Sequence, residues 1–247
     1  RNDAAQTRVH DVTTSEASMT LRYAPGESFV NSKQRRVPVS LDAPVFTLTH
    51  AMGFKGVLGG EYNFNRTEAS IWKRFWLPAS WGKIDCSVKA GAEWNTVPFP
   101  LLILPEANLS YITQRETFCL INNMEFLNDR FASMSISYDM NGKLFNRIPL
   151  LKNLKWREMF RVRALWGTLT DKNNPFKSSN PDLFRFPTRD GKFTSFVMDP
   201  KVPYVEASVG IYNIFKLLHV EYVHRFTYRD NPGINKNGIR FMVLMVF

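Results

Sequence analysis

Three stretches of this chain alternate apolar and polar residues without a break, and a period of two excludes most ways of folding it. In Ile84–Trp94 the even positions carry Ile84, Cys86, Val88, Ala90, Ala92 and Trp94, while Asp85, Ser87, Lys89, Gly91 and Glu93 take the odd ones. Ala132–Met140 repeats the pattern, and Val205–Tyr212 sets Glu206, Ser208 and Gly210 against Val205, Ala207, Val209 and Ile211. Successive strand side chains point to opposite faces, whereas a helix would scatter these residues around its circumference. Weaker versions of the signal cover 17–23, 44–52, 62–76, 116–126, 158–169, 217–227 and 238–247, which makes ten expected strands in an all-β, antiparallel chain.

The direction in which the apolar faces point decides the class. The last strand carries Ile239, Phe241, Val243, Met245 and Phe247 on one face up to the final residue, where chain ends are ordinarily frayed and polar. A soluble sandwich or lipocalin-like barrel would turn such faces inward. An outer-membrane barrel turns them toward lipid and keeps small and charged residues in a crowded lumen. The many Gly and Ser on the polar faces favour the second reading. The longest apolar run, Val97–Pro105, is interrupted by prolines and falls short of the about 18 residues of a membrane helix. A membrane location would therefore require a barrel, the other structure that satisfies its backbone in lipid.

In this register Phe160, Val162, Ala164 and Trp166 face out against Arg161 and Arg163. Leu218, Val220, Tyr222 and Phe226 face out against His219, Glu221 and Arg225, with His224 the polar exception on the outer row. The six tryptophans, Trp72, Trp76, Trp81, Trp94, Trp156 and Trp166, fall mostly near strand ends, as an aromatic girdle requires. With ten strands and both chain ends in the periplasm, segments 24–42, 77–82, 127–130, 170–202 and 229–238 would lie outside the cell. Segments 53–60, 95–115, 141–157 and 215–216 would then be periplasmic, and the apolar 95–115 and 141–157 would pack under the barrel or serve as docking surfaces.

A charge of +10 invites a nucleic-acid reading, but the basic residues are scattered and no binding motif accompanies them. Basic loops at anionic headgroups, or a basic lumen, explain the charge better. Cys86 and Cys119 make no disulfide framework; Cys86 falls on an apolar strand face, Cys119 on the opposite face of the next strand, and two unpaired thiols without a redox role are expected. His10, His50, His219 and His224 are dispersed, and His219 and His224 face opposite ways, so no metal site and no cofactor are expected. Nucleophile elbow, phosphate loop and metalloprotease helix motifs are absent, and Gly56–Gly60 reads as a tight turn.

The candidate site is a lumen charge ladder. Glu206 and Glu221 on neighbouring strands, with Arg225, Arg240, Arg161 and Arg163, form one set; Arg66, Glu68, Arg74, Asp85, Lys89 and Glu93 form a second. Charges removed from water must be paired, so the set either braces a small barrel or lines a pore.

Several stretches also resemble a Bacteroidota outer-membrane family of uncharacterised function. They are Lys73–Pro78, Gly82–Asp85, Lys89–Asn108, Asn123–Phe126, Asn146–Lys152, Leu154–Glu158 and Pro203–Gly210. The resemblance implies a carboxypeptidase-regulatory-like sandwich followed by a C-terminal barrel, distantly similar to the surface-antigen barrels of outer-membrane assembly and two-partner secretion. Residues 1–247 would then be the C-terminal barrel of a longer protein, with 1–16 a linker or partial strand. The Val-Arg-Gly-Phe/Tyr lumen motif of the assembly barrels is missing, which leaves no residue-level reason to transfer their activity.

The resulting expectation is a non-enzymatic barrel of the bacterial outer membrane. Its partners would be outer-membrane lipid and lipopolysaccharide, the barrel-assembly machinery and other outer-membrane or lipoprotein subunits. It would be an accessory or scaffold component in assembly or export of surface proteins, or alternatively a passive pore. A third reading, an enzyme in loop 170–202, has Asp171, Asp182, Asp190 and Asp199 but no recognisable arrangement of them.

Overall fold

In the computed structural model, residues 11–31, 33, 35–112, 116–177, 183–184, 186, 188–189 and 191–243 are described. Nine strands form the main sheet: β1 Glu16–Tyr23, β2 Val45–Gly53, β3 Phe64–Trp76, β4 Lys83–Glu93, β5 Arg130–Asp139, β6 Arg157–Thr168, β7 Tyr204–Ile214, β8 Leu218–Arg225 and β9 Asn237–Val243. Each pairs antiparallel with the next in sequence, so the topology is a plain up-and-down meander. The chain is all-β; short hairpins at 29–31/36–38 and 188–189/192–193 and a six-residue helix, α1 Pro149–Leu154, lie in the connections. Among the described residues the sheet does not close on itself, and β1 and β9 are its two edges. Residues 244–247, including Met245 and Phe247, and residues 1–10, including His10, lie outside the described residues, as do Asp182 and Asp190.

The alternation produces two unlike faces. Rows run straight across the sheet by register, for example Trp72–Ser87–Ser135–Arg163–Glu206–Arg225 and Arg74–Asp85–Ser137–Arg161–Ser208–Val223. These rows lie on the concave side, around a cavity of about 810 Å³ to which every strand from β2 (Val45) to β9 (Met242) contributes at least one lining residue. Arg163, Glu206, Glu221 and Arg225 are buried there at 0–2% exposure. On the convex side Phe46, Leu48, Ile71, Val88, Phe160, Val162, Trp166, Val209, Tyr222, Ile239, Phe241 and Val243 are exposed. Burial is thus inverted relative to a water-soluble sheet, whose apolar side chains fill the interior.

Segment 116–126, an expected strand, is not one. β4 and β5 pair with each other continuously from Lys83↔Asp139 to Ala92↔Arg130, which leaves no edge between them for another strand. Of the intervening connection, the described residues 94–112 and 116–129 instead fold against the concave side. Phe118, Cys119, Leu120 and Ile121 are buried in succession, a pattern no two-sided strand allows, and Met124 has a positive φ of 59°.

Removing that strand regroups the connections. One end of the sheet carries 24–44, 77–82, 140–156 and 215–217; the other carries 54–63, 94–129, 169–203 and 226–236. Segments 24–42 and 77–82 therefore share an end with 141–157 and 215–216, and 53–60 and 95–115 share one with 170–202 and 229–238. The expected sidedness was reversed for everything before residue 116, because an extra strand inverts every connection that precedes it. The 77–82 hairpin turn closes against the end of β5 at Gly82, where φ is +89° and an added Cβ would lie 1.8 Å from the Asp139 carbonyl oxygen. An L side chain has neither the conformation nor the space there.

Candidate functional site

The concave side of β6–β9 grips residues 118–125 of the long connection through its charged row. The Glu206 carboxylate accepts the backbone N–H groups of Cys119 (2.8 Å) and Leu120 (3.1 Å) and the hydroxyl of Tyr204 (2.8 Å), and pairs with Arg163 at 3.0 Å. The Arg225 guanidinium donates to both carboxylate oxygens of Glu125 (2.6 and 3.0 Å) and to the Leu120 carbonyl (3.2 Å). Arg240 donates to the Cys119 carbonyl. Arg161 pairs with Glu221 at 3.2 Å, and Ser208 donates to the same carboxylate. Backbone groups that a strand would satisfy by a ladder are satisfied here by ionised side chains from the wall, which form the stronger hydrogen bonds.

Apolar packing extends the grip. Phe118, Ile121 and Phe126 cluster with Leu165, Met198 and Tyr204, and the Arg225 guanidinium stacks 4.8 Å over the Tyr204 ring. At the other end of the insert, Val97, Leu102 and Leu127 pack with Phe64, Leu169 and Phe186, which buries Val97 and Leu102, while Leu104, Leu109, Tyr111 and Ile112 stay exposed. Asp129 secures the exit by accepting from the Thr170 hydroxyl and backbone and from Asn173. The insert also reaches the sheet edge, where the Phe241 N–H donates to the Tyr111 carbonyl at 2.8 Å and Ile112 bridges Phe241 in parallel.

The six residues of the first set lie on one face, and the insert decides how they pair. Glu206 and Arg225 sit opposite each other in register, yet Arg225 turns to Glu125 and Glu206 to Arg163. Lys89 and Glu93 belong elsewhere on the wall. Lys89 pairs with Glu68 (3.1 Å) and Glu106, while Glu93 is buried and accepts the N–H groups of Asn65 and Asn95. Arg74 and Asp85 form a bidentate pair at 2.6 and 2.8 Å, and Arg66 lies 3.7 Å from Glu93. His219 faces inward and His224 outward, as alternation requires.

Glu125, Glu106 and Cys119 are site residues that strand periodicity hides, because they reach the wall only through the fold of the insert. Glu125 does fall within the Asn123–Phe126 stretch that carries the family resemblance. Cys119 is in the insert and not on a strand face; its sulfur lies 3.1 Å from Arg163, and burial pushes its thiol pKa up despite that cation, with Glu206 and Glu221 adding to the rise. Trp72 lines the cavity and is no part of a girdle, and Trp76 lies on the same strand face with Arg74 over both rings, whereas Trp81, Trp94 and Trp166 are exposed near strand ends. In loop 170–202, Asp171 pairs with Lys177 and the Asp199 carboxylate takes the Lys201 N–H, so these two do not converge. Among the described residues no group of His, Cys, Asp and Glu could hold a metal ion.

The fold defines an all-β protein with one meandering antiparallel sheet and an internal insert latched to its charged concave face. Residues 1–176 match the family of unknown function DUF5686, C-terminal domain, and the chain belongs to that family. No curated protein and no solved structure matches it.

Proposed function

We propose that this chain is a non-enzymatic β-barrel of the bacterial outer membrane, with its lumen occupied by residues 94–129, acting as an accessory or scaffold component in assembly or export of surface proteins. The observation that carries the membrane assignment is the inverted burial: charged side chains inside, and a continuous band of exposed Phe, Leu, Ile, Val and Trp outside. In water that band would be an aggregation surface; in a bilayer it is the lipid contact. The two ends of the sheet fit the habit of such barrels, with the two longest connections, 94–129 and 169–203, at one end and the two shortest turns, 77–82 and 215–217, at the other. A spanning sheet needs both edges satisfied, so this reading requires the β1 edge, and the β9 edge outside the Phe241–Tyr111 bond, to meet each other or further strands in the membrane.

The scaffold role is supported by the insert, which blocks the wall over β6–β9, and by apolar side chains at the short-turn end. Leu144, Ile148, Leu150 and Leu154 around α1, with Phe215, are exposed there, as a docking face needs. Leu104, Leu109, Tyr111 and Ile112 of the second apolar segment, 95–115, are exposed as well, so both segments keep the docking role. Lipid, lipopolysaccharide and neighbouring outer-membrane or lipoprotein subunits are the partners this reading requires, and a Bacteroidota source follows from the resemblance alone. The test is expression with an outer-membrane signal. A heat-modifiable band in the outer-membrane fraction, and co-purification of other envelope proteins lost in a Leu150→Asp/Phe215→Asp variant, are expected. A chain that stays monodisperse in water without detergent ends the membrane reading, and detergent extraction of this chain alone ends the scaffold reading.

The cavity of about 810 Å³ favours a second reading, a passive pore. Planar-bilayer conductance in the native chain would support it, and silence until 94–129 is deleted would support the occupied lumen.

A further inference from the structure

Over β3–β5 the insert touches the concave face at its margins, through Glu106 on Lys89 and the Leu101 carbonyl on Arg66, and leaves a cavity built differently from the latch. Ser70, Ser87, Ser133, Ser135 and Ser137 all line the cavity, and none of their hydroxyls has a hydrogen-bond partner among the described residues. Ser87 and Ser135 stand opposite each other in register, and Trp72 is opposite Ser87, so an indole and two hydroxyls form one row. Ser137 and Ser133 fall two residues either side of Ser135 on the same strand face.

The cations around this space already have carboxylate partners. Arg74 is held by Asp85, Lys83 by Asp139 at 3.7 Å, Lys89 by Glu68 and Glu106, Arg161 by Glu221 and Arg163 by Glu206. An anionic ligand would have to break these pairs, and a cationic one would compete with them. Beside the Glu116 carboxylate, which further disfavours an anion, what the cavity offers freely is neutral: hydroxyls able to donate and accept, an indole, and the apolar side chains of Phe131 and Met159. Its volume is within the range of small-molecule sites. A ligand matched to this lining has hydroxyls at its edges and C–H groups on its faces.

We infer that the cavity is a binding site for an uncharged oligosaccharide of two to three sugar units, held by Trp72 and the serine hydroxyls of β3–β5. This inference does not rest on the membrane assignment, because the cavity lies between the sheet and its own insert.

The test is isothermal titration of the full chain, in a detergent without a sugar headgroup, with maltotriose, cellotriose and the acidic trisaccharide trigalacturonate. Saturable binding of a neutral trisaccharide is expected, with trigalacturonate at least tenfold weaker. Trp72→Ala should weaken the neutral sugar at least tenfold. The Ser87→Val/Ser135→Val double variant should weaken it at least threefold, and it provides the comparison should Trp72→Ala fail to fold by circular dichroism. Absence of saturable binding by both neutral sugars overturns the inference. So does binding that the folded variants leave unchanged, or trigalacturonate binding as tightly as the neutral sugars.

Discussion

The two halves of the concave face carry the same alternating sequence pattern and meet different fates. Over β6–β9 the polar row is sealed beneath the insert: Glu206, Glu221, Arg163 and Arg225 are all but inaccessible, and each is engaged by a counter-charge or by peptide groups of residues 118–125. Over β3–β5 the polar row faces the cavity: Arg74 and Asp85 remain partly accessible and the serines have no protein partner among the described residues. The contrast teaches that the chemical identity of a lumen residue does not set its energetic role. Cover does, because a charge pair shielded from water depends wholly on its partners whereas an accessible one is backed by solvent.

That contrast can be broken by substitution. The largest effect is expected for Arg225→Ala, which strands the buried Glu125 and removes a donor to the Leu120 carbonyl. A loss of about 3–5 kcal/mol is expected for breaking such a pair, read as the urea midpoint or the temperature of the heat-modifiable transition. Next comes Glu221→Ala, which leaves Arg161 short of its carboxylate and should destabilise the sheet more than it alters any conductance. An unchanged heat-modifiable gel shift would count against its bracing role. On the open half, Arg74→Ala should cost only about 1 kcal/mol despite its good geometry; a loss equal to that of Arg225→Ala would erase the distinction between the halves. Ser135→Ala should stay within about 0.5 kcal/mol of the parent.

The smallest expected signal is chemical. Burial raises the Cys119 thiol pKa, so the thiol form persists through neutral pH, and the thiolate is the form that reacts. Maleimide should leave Cys119 unlabelled in the folded chain at pH 7 and label it after urea. Labelling of the native chain, mapped by mass spectrometry, would mean that the insert leaves the wall.

Much of the wall was legible from residue order. A strict alternation such as Ala132–Met140 needs no tertiary information, since the two faces of a strand follow from backbone geometry alone. Eight strands therefore agree with the expectation to within a few residues, and the last agrees as far as Val243. The convergence of Glu206, Glu221, Arg161, Arg163, Arg225 and Arg240 on one face was legible for the same reason. The partners of that face were not. Glu125, Glu106 and Cys119 belong to a connection whose path depends on where its ends are anchored, and Phe118–Ile121 is apolar enough to pass for a strand.

Sequence alone thus determined the strands, their two faces and which charges share the concave side, because these follow from local periodicity. Tertiary structure decided that 116–126 is an insert, which end each early connection occupies, and which half of the face is sealed. Those outcomes depend on competition for hydrogen-bonding edges: β4 and β5 satisfy each other completely, so the residues between them must find their partners on the wall.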